Sequence, residues 1–403
     1  MTAHQALSLL FLAIGAAVAP VISGRLGIPA AVGEILYGIL VGLALPSSIE
    51  LSTFVSFLAH FGFLLLMFLA GLEIDVQQLI RRPRRQMLRI VPFAVLVPLI
   101  GVVGALRLGQ PALLGLVAGA ISVGITLPVL QEMRLVRTDL GQAVLVVGAF
   151  GELCTILGLA VLGHLGASAS SLTILGQLLK LIAVFGVAGI VLTILRELLW
   201  WFPEPLRDLM GRGDASELSV RAAVAVMVAF AALAVLVGVP DILATFLAGL
   251  TIAAVFPGRE RLMAKLGTAG FGFFIPIFFI NVGWGVDASA FFSLVTLRMI
   301  GLLFAATLAV RLLGLPALLW RLRPAAAGQA LLLLAAPLTL QIAIAEFGIQ
   351  QGLLPAALRP AVVAAASLSA ILFPILARRS LNGRAAVVSG GAQQGFSDAA
   401  PVR

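Results

Sequence analysis

Apolar stretches of helical length follow one another along this chain with only short polar interruptions, and that pattern alone removes most folds from consideration. About 13 such stretches can be read, each close to the roughly 20 residues that a helix needs to cross a bilayer core. Their approximate limits are 4–23, 27–45, 53–71, 88–106, 111–130, 140–163, 172–195, 220–237, 241–256, 267–283, 295–315, 326–347 and 360–376. Inside lipid, each backbone N–H and C=O must be satisfied by the segment itself, so the spans are predicted to be α-helices. Composition agrees: 61% of the residues are hydrophobic and 11% charged, against about half and about a quarter in soluble domains. No soluble core could absorb that excess, so the surplus must face a lipid bilayer. Residues 380–403 are polar and rich in Gly, Ser and Ala, which predicts a disordered cytoplasmic tail after a transmembrane domain of 1–379.

The net charge of +9 does not point to nucleic acid, because the basic residues sit in short loops between apolar runs. With the first residue outside, odd-numbered spans exit at Arg25, at Arg81, Arg82, Arg84 and Arg85, at Arg134 and Arg137, and at Arg196, Arg207 and Arg212. Later exits carry Arg259, Arg261 and Lys265, then Arg321 and Arg323, then Arg378 and Arg379, whereas the opposite loops hold little beyond Arg107 and Arg359. The positive-inside rule then puts the N-terminus outside and the C-terminus in the cytoplasm, and requires an odd number of spans. Cys154 is the one cysteine, so neither an internal disulfide nor a thiolate metal site is available. No cleavable signal is apparent before the first span.

An internal repeat narrows the class further. Gly27-Ile-Pro-Ala-Ala-Val-Gly-Glu-Ile-Leu-Tyr-Gly38 aligns with Gly238-Val-Pro-Asp-Ile-Leu-Ala-Thr-Phe-Leu-Ala-Gly249. Phe61-Gly-Phe63 aligns with Phe271-Gly-Phe273, and Gly71 and Asp75 with Gly283 and Asp287, all at an offset of roughly 210 residues. The two units, about 27–163 and 238–376, begin seven spans apart. Seven is odd, so they enter the membrane from opposite sides, as in the inverted repeats of many secondary transporters. Each unit holds five spans, and residues 172–237 supply two linker helices.

In such architectures ions bind near the midplane, where matched spans are broken. The fourth span of each unit has the breakers: Ser122-Val-Gly-Ile-Thr-Leu-Pro128 in one and Ala335-Ala-Pro-Leu-Thr-Leu-Gln341 in the other. Freed carbonyls there can coordinate a cation, and the hydroxyls of Ser122, Thr126 and Thr339 add oxygen ligands. Buried charge is costly in lipid and marks function. Glu152 lies near the middle of the sixth span and can hold either a proton or a monovalent cation. Arg311, within the eleventh, cannot release its proton; it could compete with the cation for Glu152, brace the half-helices through their free carbonyls, or snorkel to the interface. Glu34, near one end of the second span, reads equally as a packing residue. Glu73 and Asp75 read as a solvated face paired with Arg81–Arg85. Glu346 and Asp241 lie at span ends, Lys180 and Arg298 read as interfacial, and His4, His60 and His164 have no metal-ligand spacing. There is no Walker loop, zinc-helix motif or Ser–His–Asp logic, so an ATP-driven pump and an intramembrane hydrolase are disfavoured and no cofactor is expected.

These residues make the chain resemble the second monovalent cation:proton antiporter family of the sodium/proton exchanger superfamily, over about residues 14–376. The resemblance is carried by Pro29-Ala-Ala-Val-Gly-Glu-Ile-Leu-Tyr-Gly-Ile-Leu-Val-Gly42, by Phe68-Leu-Ala-Gly-Leu-Glu73, by Ser122-Val-Gly-Ile-Thr126 with Val129-Leu-Gln-Glu132, and by Phe278-Phe279 with Gly283. It implies 13 helices, a homodimer, and exchange of Na⁺ or K⁺ for H⁺ by an elevator-like motion in the cell's inner (plasma) membrane. It puts the ion-binding carboxylate on Glu152 and the buried base of the eleventh span on Arg311. This chain departs from the pattern with Glu152 where Asp is usual, Gly151 where a polar neighbour is usual, and Thr339 where Glu is common. Gly151 cannot hold charge, so Glu152 reads as the one clear carrier, which implies one-for-one, electroneutral exchange. The competing reading is a proton-coupled transporter of a small anion or organic solute, with Arg311 as the substrate ligand.

Overall fold

The computed structural model describes residues 3–44, 53–74, 84–124, 126, 129–130, 133–136, 138–163, scattered residues between 179 and 197, and then 217–255, 259–320 and 322–397. Every regular element among them is helical. The first half comprises α1 (Ala3–Leu26), α2 (Ala30–Ala44), α3 (Thr53–Glu73), α4 (Arg84–Arg107), α5 (Ala112–Gly119) and α6 (Asp139–Leu162). The second comprises α7 (Leu218–Val237), α8 (Asp241–Val255), α9 (Arg259–Ala269), a π-helical turn at Gly270–Phe274, α10 (Ile275–Trp284), α11 (Leu294–Leu319), α12 (Pro324–Leu333), α13 (Leu338–Gln350) and α14 (Arg359–Ser397).

Among the described residues, seven helices are long and apolar enough to cross a membrane, or eight if the bent pair α12–α13 counts as one span; α2, the apolar part of α4 (Val91–Arg107) and α8 are shorter apolar helices. The predicted fifth span is the short α5 followed by a break. The predicted seventh span falls largely outside the described residues. The last helix continues to Ser397, beyond the point where composition predicts a disordered tail.

Two helix groups are apparent. One packs α2 against α10, α3 against α8 and α1 against α2, with α7 against α8; the other joins α4, α5, α6, α11, α12, α13 and α14. The first group is held by backbone contact at glycines. A Cβ on Gly38 of α2 would lie 2.1 Å from the Ile280 carbonyl oxygen, and one on Gly283 of α10 would lie 2.1 Å from that of Ile35. A Cβ on Gly71 of α3 would lie 2.2 Å from the Phe246 oxygen, and one on Gly249 of α8 would lie 2.1 Å from that of Phe68. Gly38 aligns with Gly249 and Gly71 with Gly283 in the repeat. The contact of α2 with α10 thus recurs as the contact of α8 with α3, the reciprocity that a two-fold relation between the halves produces. Small residues are what allow membrane helices to approach this closely. His60 Nε2, 2.7 Å from Asp241 Oδ2, adds a polar tie between α3 and α8.

These crossings set an expected result. Gly71→Ala forces a methyl group against backbone and should destabilise the protein by about 1–3 kcal/mol. Gly104→Ala, in α4 with nothing within 4 Å of the added carbon, should be neutral or slightly stabilising. Thermal unfolding of the two detergent-solubilised variants checks the contrast; equal melting temperatures would refute the close-contact account.

Candidate ion site at the crossed helix breaks

Two broken segments meet inside the second group. The helix α5 stops at Gly119, and α12 stops at Leu333 before α13 restarts at Leu338 with a 47° bend. In lipid such breaks require partners for every freed backbone group. Three N–H groups at the first break are taken by side chains. Ile121 donates to Thr155 Oγ1 at 3.3 Å, Val123 to Glu152 Oε2 at 3.3 Å, and Gly124 to Ser122 Oγ at 3.3 Å.

The freed carbonyls are taken largely by one guanidinium. Arg311, on α11, is fully buried. Its Nε donates to the Leu334 carbonyl at 3.0 Å, Nη1 to Ala118 at 2.9 Å and to Thr307 at 2.7 Å, and Nη2 to Ala120. It therefore joins the C-terminal ends of α5 and α12. Each such end carries a partial charge of about −0.5, so a single positive charge offsets both. Arg311 is buried away from the interface and makes the carbonyl contacts that bracing requires, and among the described residues no ion pair links it to Glu152. Thr126 donates to the Leu333 carbonyl at 2.8 Å. Gln341 Nε2 donates to the Val117 carbonyl at 3.0 Å and to Thr307 Oγ1 at 3.2 Å. The carbonyls of Val117, Ala118, Ala120, Leu333 and Leu334, at the ends of α5 and α12, are therefore engaged by side-chain donors, and the Thr126 hydroxyl ties one break to the other.

What faces open space is a smaller set of oxygens. Glu152, in the middle of α6, is 2% exposed and accepts a hydrogen bond from Ser122 Oγ at 3.1 Å. Thr339, in the first turn of α13, puts its hydroxyl 3.4 Å from that of Ser122. The three side chains line one cavity of about 590 Å³. A carboxylate and two hydroxyls form the hard oxygen set that suits an unpolarisable cation. The positive end of α13 lies beside them.

Gly151 is explained by packing. A Cβ there would lie 2.6 Å from both Cβ and Cγ2 of Ile121, the residue at the break, and Thr155 donates to the Gly151 carbonyl at 2.6 Å. A polar side chain has no room at that position while Ile121 fills it.

The cavity lies between the two helix groups. Ser122, Glu152 and Thr339 come from one, and Glu34 of α2, Glu73 of α3 and Phe279 of α10 from the other. It extends past Gly27 and Pro29 to Arg378, at the end of the bundle where α1 finishes and α2 begins. At the opposite end, Arg359 of α14 pairs through Nε and Nη2 with Glu346 of α13 at 2.8 and 3.0 Å and donates to the Gly285 carbonyl beyond α10 at 3.1 Å. Two sequence expectations change here. Glu34 and Glu73 share the cavity with Glu152, so Glu152 is not the lone carboxylate of the core. Glu73 belongs to that cavity wall rather than to a solvated face; Asp75 and the Arg81–Arg85 side chains lie outside the described residues. Gln341 and Thr155 were not singled out in sequence, although each is a polar residue in an otherwise apolar segment.

Helices broken at matching positions of two halves, with an ion site between them, are a feature that many secondary transporters share. The chain belongs to the sodium/hydrogen exchanger transmembrane family, whose pattern matches residues 11–380. It is 30% identical to the putative Na(+)/H(+) antiporter YjbQ of Bacillus subtilis (strain 168), over 91% of this chain and 62% of that protein, so it spans less than two thirds of that relative's length. It is 28% identical to the Na(+)/H(+)-K(+) antiporter GerN of Bacillus cereus, over 66% of this chain and 67% of that protein. The fold is similar to that of the sodium proton antiporter MjNhaP1 from Methanocaldococcus jannaschii, with a TM-score of 0.61, 16% identity, and coverage of 94% of this chain and 96% of that one. The exchanger resemblance read from the motifs therefore holds at family level.

Proposed function

We propose that this protein exchanges Na⁺ or K⁺ for H⁺, with Glu152 carrying the cation and the proton in turn. The observation that carries this reading is a carboxylate 2% exposed at the inner end of a cavity, hydrogen-bonded to a broken helix and facing two hydroxyls. Ser122 and Thr339 complete the cation's ligands, and Thr126 and Arg311 hold the breaks that position them. The anion reading is less well supported, because four of the five Arg311 N–H donors already serve backbone carbonyls. The test is proton release from acid-loaded everted vesicles on addition of Na⁺, K⁺, Li⁺ or candidate anions. A response to an anion with none to any cation would overturn the reading.

The same proposal includes 13 spans in two inverted five-helix repeats, a homodimer, an inner (plasma) membrane location, and elevator-type alternating access. The reciprocal glycine contacts support the repeat. An elevator is supported by a site carried on one helix group, a cavity walled by the other, and the Arg359–Gly285 contact across the groups at the far end. The loop charges support an N-terminus outside and a C-terminus inside. Reporter tags after Arg403 and in the loop 81–85 should therefore read cytoplasmic, and a tag in 163–171 should read external. If tags at 81–85 and 163–171 report the same side, the topology is wrong.

A further inference from the structure

Gln341 is a buried amide that stability alone does not explain. It is 3% exposed in the first turn of α13. Its Nε2 donates to the Val117 carbonyl at 3.0 Å and to Thr307 Oγ1 at 3.2 Å, while its Oε1 is buried without a partner among the described residues. An unpaired buried acceptor costs about 1–3 kcal/mol, which offsets much of what two neutral hydrogen bonds contribute. What the amide adds is geometry, and the geometry concerns Thr339. Two residues along a helix are turned by roughly 200° from one another. Thr339 and Gln341 therefore occupy opposite sides of one turn. Thr339 faces the cavity with its hydroxyl 3.4 Å from that of Ser122, and Gln341 faces α5 and α11. No side chain caps this helix, whose N-cap is Pro337, so Gln341 is the polar anchor on the packed side of the turn. It shares its footings with Arg311, which donates to the Ala118 carbonyl, next to Val117, and to the Thr307 carbonyl.

We propose that Gln341 is a positioning residue of the cation site, whose amide holds the first turn of α13 where the Thr339 hydroxyl and Ser122 can reach the same ion. The proposal rests on the antiport reading above. Gln341 touches no ion; it acts through Thr339. A ligand that drifts by more than about 0.5 Å leaves the productive geometry, so loosening this turn weakens cation affinity without removing any group that carries charge.

The test measures cation-dependent proton flux in proteoliposomes for Gln341→Met, which keeps an unbranched side chain of similar length and removes both donated bonds. With whichever of Na⁺ and K⁺ drives wild-type exchange, the half-saturating concentration should rise about tenfold, the order of one weakened contact to an ion. The maximal rate should stay close to that of the wild type, since binding rather than the carrier has changed. Thr307→Val removes the hydroxyl acceptor from the other side of the contact and should shift the half-saturating concentration the same way by less. Thr339→Ala weakens affinity by itself, and Gln341→Met or Thr307→Val added to it should bring no further rise, because residues acting through one contact are not additive. A purely structural role would lower melting temperature and maximal rate and leave half-saturation where it was. Unchanged half-saturation in Gln341→Met and Thr307→Val, or a full further rise on adding either to Thr339→Ala, would overturn the positioning role. If Gln341→Met does not fold, Thr307→Val alone and with Thr339→Ala decides the matter. Absence of cation-dependent flux in the wild type is the separate result that overturns the antiport reading itself.

Discussion

Glu152→Gln should reduce cation-dependent proton flux to background in reconstituted vesicles while leaving a folded, correctly inserted protein. The substitution keeps the side chain's length and shape and removes the group that alternates between proton and cation. Folding should survive because local hydrogen bonding can be rebuilt. The amide oxygen can still accept from the Val123 N–H, now 3.3 Å from Oε2, and the amide nitrogen can donate to Ser122 Oγ once that hydroxyl rotates. The amide also removes an ion that is costly to bury in a membrane, so the melting temperature should hold or rise. Glu152→Asp is the companion variant. It retains a titratable carboxylate one methylene further from Ser122 and Thr339, so exchange should persist with weakened cation affinity. Normal flux in purified Glu152→Gln would show that protons and cations travel by another group, and Glu34 and Glu73 would then be the first candidates.

Much of this arrangement was legible in the sequence because a bilayer enforces simple rules. Spans are long because the hydrocarbon is thick, and breaks are conspicuous because a Pro or Gly interrupts an otherwise apolar run. Gly38, Gly71, Gly249 and Gly283 aligned at one offset, and the same four residues make the reciprocal backbone contacts. Glu152 and Arg311 stood out because burial of charge is expensive. What did not read from sequence was partnership across the bundle. Arg311 could as well have paired with Glu152; its preference for the carbonyls of Ala118, Ala120 and Leu334 depends on where two helix ends meet. Thr126 looked like a ligand because hydroxyls near breaks often are, yet it faces Leu333. Glu73 was misread because it sits at a span's end beside arginines, and nothing in the local pattern reveals that α3 ends against the cavity holding Glu152. The space beside Gly151 was equally hidden, since Ile121 is thirty residues away in the chain.

Arg311→Ala should be among the most destabilising single substitutions in the protein. It leaves the carbonyls of Ala118, Ala120 and Leu334 without the donors that now satisfy them. Each buried acceptor left unpaired costs about 1–3 kcal/mol, and the void left by the side chain adds to that sum. The loss is electrostatic as well, because two helix C-termini of about −0.5 charge each would face one another without the cation between them. The expected result is a sharply lowered melting temperature in detergent, with flux lost through disorder of the breaks rather than loss of a carrier. Arg311→Lys distinguishes this from a direct role in transport. Lysine restores the charge with three donors on one atom, so it cannot span all the carbonyls that the planar guanidinium reaches. Partial stability and partial flux should return. Unlike arginine, lysine can release its proton, so the melting temperature of this variant should fall relative to the wild type as pH rises and the ammonium is neutralised, and its flux should fall with it. The measurement is melting temperature and Na⁺-driven proton flux for wild type, Arg311→Lys and Arg311→Ala across pH. If Arg311→Ala melts and transports like the wild type, the guanidinium does not hold the breaks together, and the positive end of α13 must be sufficient to organise the site around Glu152.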